Sequence, residues 1–143
     1  MAIHPPVLYL GYVGLVLPFV VATSELFNKY KDENWIKIAE KATYFPWVFL
    51  TAGISLGAAW SYEVLGWGGY WAWDPVENVS FIPWLLATAF LHSSKTQIKE
   101  RTLINWNYVL ACLMFLSVIF GTFITRSGCL LYTSDAADDS LRV

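Results

Sequence analysis

Apolar residues run along the chain in four blocks, 7–27, 44–62, 75–92 and 103–124, each 18–22 residues long. A helix rises about 1.5 Å per residue, so about 20 residues cross a hydrocarbon core of about 30 Å. The blocks do not alternate apolar with polar residues as barrel strands would, and a helix satisfies its own backbone inside lipid. The pattern predicts an all-α polytopic membrane protein with about four transmembrane helices. Within 28–42, Trp35, Ile36, Ile38 and Ala39 fall among charges at roughly helical spacing, which predicts a short interfacial helix.

The polar connections set an orientation. Lys29, Lys31, Lys37 and Lys41 lie in the first connection, and Lys95, Lys99 and Arg101 in the third. The second connection, 63–74, has no basic residue. Basic loops stay on the cytoplasmic side, so the first and third connections are expected inside and 63–74 outside. The start, MAIHPP, lacks the basic region and cleavage site of a secretory signal, so the first apolar block is expected to remain in the membrane.

Composition agrees, at 57% hydrophobic and 14% charged residues. Nine Lys and Arg residues form no dense block, which argues against a nucleic-acid partner. Cys112 and Cys129 make no C-x-x-C pair, so neither covalent haem attachment nor ordinary thiol–disulfide exchange is expected of this chain's own cysteines. The tail 129–143, CLLYTSDAADDSLRV, is polar and acidic and is expected to be disordered.

The stretch 66–84, GWGGYWAWDPVENVSFIPW, holds Trp67, Trp71, Trp73 and Trp84, half of the eight tryptophans. Two readings stand. The indoles are interface anchors, or the glycines Gly66, Gly68 and Gly69 fold the loop so that its rings form a platform for a flat apolar ligand. Asp74, Pro75 and Glu77 fit the N-cap, N1 and N3 positions of a capping box. Capping explains both acids and also sets the shape of the loop. Pro83 lies inside the third block and is expected to kink its helix.

Two histidines are candidate ligands. His92 shares a helical face with Phe81, Leu85 and Thr88. An ionisable residue within a membrane segment marks function, yet a headgroup-level histidine bonded to water or Ser93 is equally compatible. His4 precedes Pro5 and Pro6, where an ordinary surface histidine is the simpler reading. It falls on the same side as the tryptophan loop and so within reach of a ligand lying there.

The run WGGYWAWDPVENVSFIPWLLATAFLHS resembles the tryptophan-rich signature of haem-handling proteins of cytochrome c maturation. Its continuation P-V-E-N-x-S-F-x-P-W-L is similar to that of the CcmF-type haem lyases. HPPVLYLGYVG and FGTFITRSG resemble the same branch, so the likeness covers about 3–128. It implies a membrane haem-handling segment, 1–128, of a longer protein in the bacterial inner membrane, with the tryptophan loop facing the periplasm. The tail 129–143 does not match the branch and is expected to be foreign or truncated sequence. The resemblance implies that His4 ligates a transient haem on the external loop. It implies that His92 ligates a b-type haem in the membrane. Trp67, Gly68, Trp71, Trp73, Asp74, Pro75 and Glu77 correspond to the signature itself, and Tyr70 stands where this branch commonly has tryptophan. The branch's second external histidine would fall at position 134, which is Ser134 here. The implied activity is covalent attachment of haem to apocytochrome c. The implied partners are a haem chaperone, apocytochrome c, other maturation proteins and the lipid bilayer. Haem export by the same signature, and a plain membrane scaffold, are the rival functions.

Overall fold

The computed structural model describes residues 2–30, 32–64, 70–71, 73 and 75–127. Five helical elements follow in order: α1 (His4–Gly14), α2 (Val16–Phe27), α3 (Trp35–Val64), α4 (Pro75–Glu100) and α5 (Ile104–Arg126). The chain is an all-α, polytopic membrane segment. Three spans are long and apolar enough to cross a bilayer: His4–Phe27, Trp35–Val64 and Ile104–Arg126. At 26 residues α4 has the length, but Glu77, Asn78 and His92 interrupt its apolar run.

The first expected helix, 7–27, begins earlier and is broken at Leu15. Pro18 explains the break, because it has no N–H to offer the Gly14 carbonyl and its ring crowds that turn. The Leu15 amide instead bonds Tyr12 O at 3.3 Å, a tighter turn. The expected interfacial helix and the second block, 44–62, are one helix of 30 residues. Trp35, Ile36, Ala39 and Thr43 are buried along its first turns, so core packing carries the helix through a stretch too charged to count as apolar. Likewise α4 runs on to Glu100 beyond the expected end at 92, because Ser94 and Gln97 are buried. Pro46 and Pro83 sit within α3 and α4.

Against α3, α1 packs as a seam. A Cβ added to Gly11 would lie 2.7 Å from Leu50 Cγ, and one added to Gly14 would lie 2.8 Å from Pro46 Cβ. Small residues let membrane helices approach this closely. Helices α3 and α4 are cross-bolted by two tryptophans and two threonines. Trp47 Nε1 donates to Thr88 Oγ1 and Trp84 Nε1 to Thr51 Oγ1, both at 2.8 Å. Each threonine hydroxyl in turn donates to the tryptophan carbonyl of its own helix. Phe19 of α2 stacks on Phe115 of α5, with centroids 4.4 Å apart. Outward faces remain apolar: Val109, Leu113, Leu116, Phe120 and Phe123 form an exposed stripe along α5, as a lipid-facing helix or one awaiting further helices requires.

Candidate functional site

The N-terminus of α1 and the C-terminus of α3 meet at one end of the bundle. Pro5 and Pro6 cost nothing there, since the first turn of a helix has no ladder acceptors for their missing amides. His4, the first helical residue, therefore lies fixed over α3. Its Nδ1 sits 2.8 Å from the carbonyl oxygen of Gly53. A carbonyl only accepts, so in the neutral ring Nδ1 carries the hydrogen and Nε2 keeps the lone pair. That second nitrogen is the one free to take a metal, and a ring held through a backbone carbonyl is the usual support for such a ligand.

Gly57 makes this contact possible. In a helix the residue at i+4 overhangs the carbonyl of residue i. A Cβ on Gly57 would stand 2.6 Å from His4 Cε1 and 3.3 Å from Nε2. Only a bare Cα lets the imidazole lie flat on the helix and reach Gly53.

His4 lines a cavity of about 430 Å³ walled by α1, α3, α4, α5 and Trp71 of the loop. Tyr12, Trp60, Ser61, Val76, Glu77, Ser80 and Arg126 also line it. The size is typical of a small-molecule or cofactor pocket. Its wall continues as a ladder of rings. Trp71 meets Phe81 edge-on at 5.5 Å, Phe81 stacks on Trp84 at 5.3 Å, and Trp84 stacks on Trp47 at 6.3 Å. Asn78 ties the loop to α4, accepting from Trp71 Nε1 at 3.3 Å and donating to Trp73 O at 3.2 Å. Trp73 holds the left-handed conformation at φ 59° and is exposed, a backbone state rare for a bulky residue. Tyr70 stacks on Tyr62 at 4.5 Å.

The sequence-derived residues thus divide. His4, Trp71 and Glu77 line one cavity, and Pro75 opens α4 beside it. Trp73 is exposed and does not line the cavity, its carbonyl held by Asn78. Trp67, Gly68 and Asp74 lie outside the described residues, so the Asp74 half of the capping box does too. His92 is elsewhere: it is exposed on α4, with Nδ1 2.8 Å from Thr88 O rather than bonded to Ser93. It again leaves Nε2 with the lone pair, facing away from the bundle core. Gly57, Gly53, Asn78 and Arg126 were not singled out from sequence. Their roles depend on contacts between residues far apart in the chain, which spacing does not encode. Among the described residues no three His, Cys, Asp or Glu side chains gather as metal ligands. The two imidazoles, His4 and His92, stand apart, one in the cavity and one on the exposed face of α4.

Comparison with known proteins follows the same lines. The profile of the cytochrome c assembly protein family matches residues 1–131. The chain is 46% identical over 142 residues to the cytochrome c-type biogenesis protein CycK of Rhizobium meliloti (strain 1021), covering 99% of this chain and 21% of the relative. It is 43% identical over 139 residues to the cytochrome c-type biogenesis protein CcmF of Escherichia coli (strain K12), covering 97% of this chain and 22% of CcmF. A solved structure of the cytochrome c haem lyase CcmF superposes with a TM-score of 0.77 at 51% identity, over 90% of this chain and 22% of that one. The chain therefore spans about a fifth of the length of the proteins it matches. With helices, glycine seam and histidine-lined cavity in place, the chain belongs to the cytochrome c assembly protein family, as a CcmF-type member.

Proposed function

We propose that this segment holds haem for a lyase that joins it to apocytochrome c. The observation that carries the reading is the His4 imidazole, fixed by the Gly53 carbonyl and presented beside Trp71 in a cavity of about 430 Å³. The residues fit the group: a lone-pair nitrogen for iron, and aromatic walls for an apolar macrocycle. Bound haem supplies the vinyl groups to which cysteine thiols of an apocytochrome add. The protein's part is to hold the macrocycle by His4, exclude water with Trp60, Trp71 and the neighbouring rings, and fix the geometry of approach. Trp73 and, on the first turn of α4, Pro75 and Glu77 are the other described residues assigned to this site, and Trp67, Gly68 and Asp74 of the same signature are assigned to it with them.

His92 serves a second, b-type haem within the membrane, whose other ligand lies in the rest of the full-length protein. It stands 17 residues along α4 from Pro75, about 25 Å at 1.5 Å per residue, so one haem cannot take both histidines. The protein sits in the bacterial inner membrane with the tryptophan loop in the periplasm, where it meets a haem chaperone, apocytochrome c and other maturation proteins.

The test is spectral, in a full-length protein carrying this segment. His4→Ala is expected to shift or empty the Soret component of the external haem and spare the b-type haem, and His92→Ala to do the reverse. Loss of one and the same component from both variants would overturn the two-site assignment. Retention of apocytochrome in a pulldown separates a lyase from a haem exporter, which would retain none. For orientation, a cysteine at exposed Glu63 should react with an impermeant thiol reagent in spheroplasts and one at exposed Lys99 should not. The opposite labelling pattern would invert the topology.

A further inference from the structure

We infer that Arg126 is the carboxylate-docking residue of the His4 cavity, and that with His4 it fixes which edge of the ligand faces outward. The inference rests on the haem reading above. Arg126 is the last residue of α5 and lines the cavity. The close contact of α5 with α4, where a Cβ on Gly121 would lie 2.6 Å from Val79 Cγ1, holds that end against the cavity wall.

The other polar groups of the lining are largely committed. Ser80 Oγ donates to Glu77 O at 2.7 Å. Thr122 and Thr125 donate to the carbonyls of Val118 and Gly121, at 2.9 and 3.0 Å. Trp71 Nε1 donates to Asn78. The three hydroxyls have lone pairs left, but neither they nor the Trp71 indole has a hydrogen left for an anion. Arg126 is the one arginine or lysine among the described lining residues. A guanidinium presents a fork of donors that matches a carboxylate.

A metal-centred ligand held at His4 alone can turn about the bond from Nε2 to the metal. A second anchor stops that rotation. Haem carries its two propionates on one edge and its vinyl groups away from that edge. Docking the propionates at Arg126 therefore turns the vinyl groups from Arg126 toward an incoming partner.

Haem and its dimethyl ester, which lacks the carboxylates, distinguish the possibilities when titrated into full-length protein with the external site emptied. The unaltered protein is expected to bind haem about tenfold or more tightly over the ester. Arg126→Gln is expected to erase that preference by weakening haem alone, with the Soret position set by His4 unchanged. Arg126→Lys, which keeps the charge and loses the fork, should keep part of it. Equal affinity for the two porphyrins in the unaltered protein, or a preference that survives Arg126→Gln, would overturn the inference and leave Arg126 a helix-end cation that offsets the α5 dipole. If neither porphyrin binds, the haem reading itself fails and takes this one with it.

Discussion

At the His4 end the helices part around a cavity walled by rings and small residues, whereas at the Arg101 end polar side chains turn inward and bond to one another, leaving Asn107 Oδ1 without a partner among the described residues. There Asn107 is fully buried and its Nδ2 donates to Gln97 Oε1 at 2.5 Å. Glu25, also buried, accepts the Asp32 amide at 2.5 Å. Trp35 stacks on Tyr108 at 4.3 Å, and Arg101 pairs with Glu33 at 3.0 Å across two connections. The contrast teaches where this bundle keeps an imidazole nitrogen open. One end uses its polar groups to close helix ends and turns. The other spends a carbonyl and a missing side chain to leave one imidazole nitrogen unspent.

If that division is right, the largest single effect belongs to Gly57→Ala. Its added carbon pushes the His4 ring off the Gly53 carbonyl, and the imidazole loses both tautomer and aim. Haem affinity at the external site should fall about 10–100-fold, read by Soret titration, with little change in thermal stability. Unchanged affinity would mean that the seat on α3 is not what prepares His4.

At the opposite end the effect should be on stability alone. Asn107→Leu removes the buried acceptor Oδ1, which has no partner among the described residues, but strands Gln97 Oε1. A net loss of about 1–2 kcal/mol is expected in thermal or denaturant unfolding, with the external haem spectrum unaltered. A spectral change would show that the two ends are coupled. The smallest effect is expected of Glu33→Gln. Both partners of that ion pair are more than 70% exposed, so its loss should cost less than about 1 kcal/mol and vanish at high salt.

Three of the four expected membrane helices could be read from the sequence because hydropathy decides them; α4, its apolar run interrupted by Glu77, Asn78 and His92, is not among the spans apolar enough to cross a bilayer. Their ends could not, where burial overrode polarity: Thr43 is enclosed in the core at the start of α3, and Ser94 and Gln97 near the end of α4. The break at Leu15 follows from Pro18, a local cause that a count of apolar residues passes over. His4 was legible as a residue type and by its place at the start of the first apolar block. Its partner Gly53 lies 49 residues away, and the space over Gly57 exists only after α1 has crossed α3. Trp71 and Glu77 were legible through the signature, but the Asn78 tether that connects them was not, since one amide between acidic and apolar neighbours has no distinguishing pattern.

The tryptophan–threonine bolt between α3 and α4 is written twice in the same spelling, Trp47-x-x-x-Thr51 and Trp84-x-x-x-Thr88. Each copy offers one indole hydrogen and one hydroxyl lone pair, four residues apart on one helical face. Turned end for end, each copy meets the needs of the other. The pairing is a palindrome in three dimensions: it specifies antiparallel direction and a single axial register with one four-residue spacing. A slip of α3 against α4 by one helical turn, about 5.4 Å, would break both indole bonds at once. The hairpin of α3 and α4 is thus gauged from its middle, and the cavity residues it carries take their relative height from two half-buried hydroxyl groups.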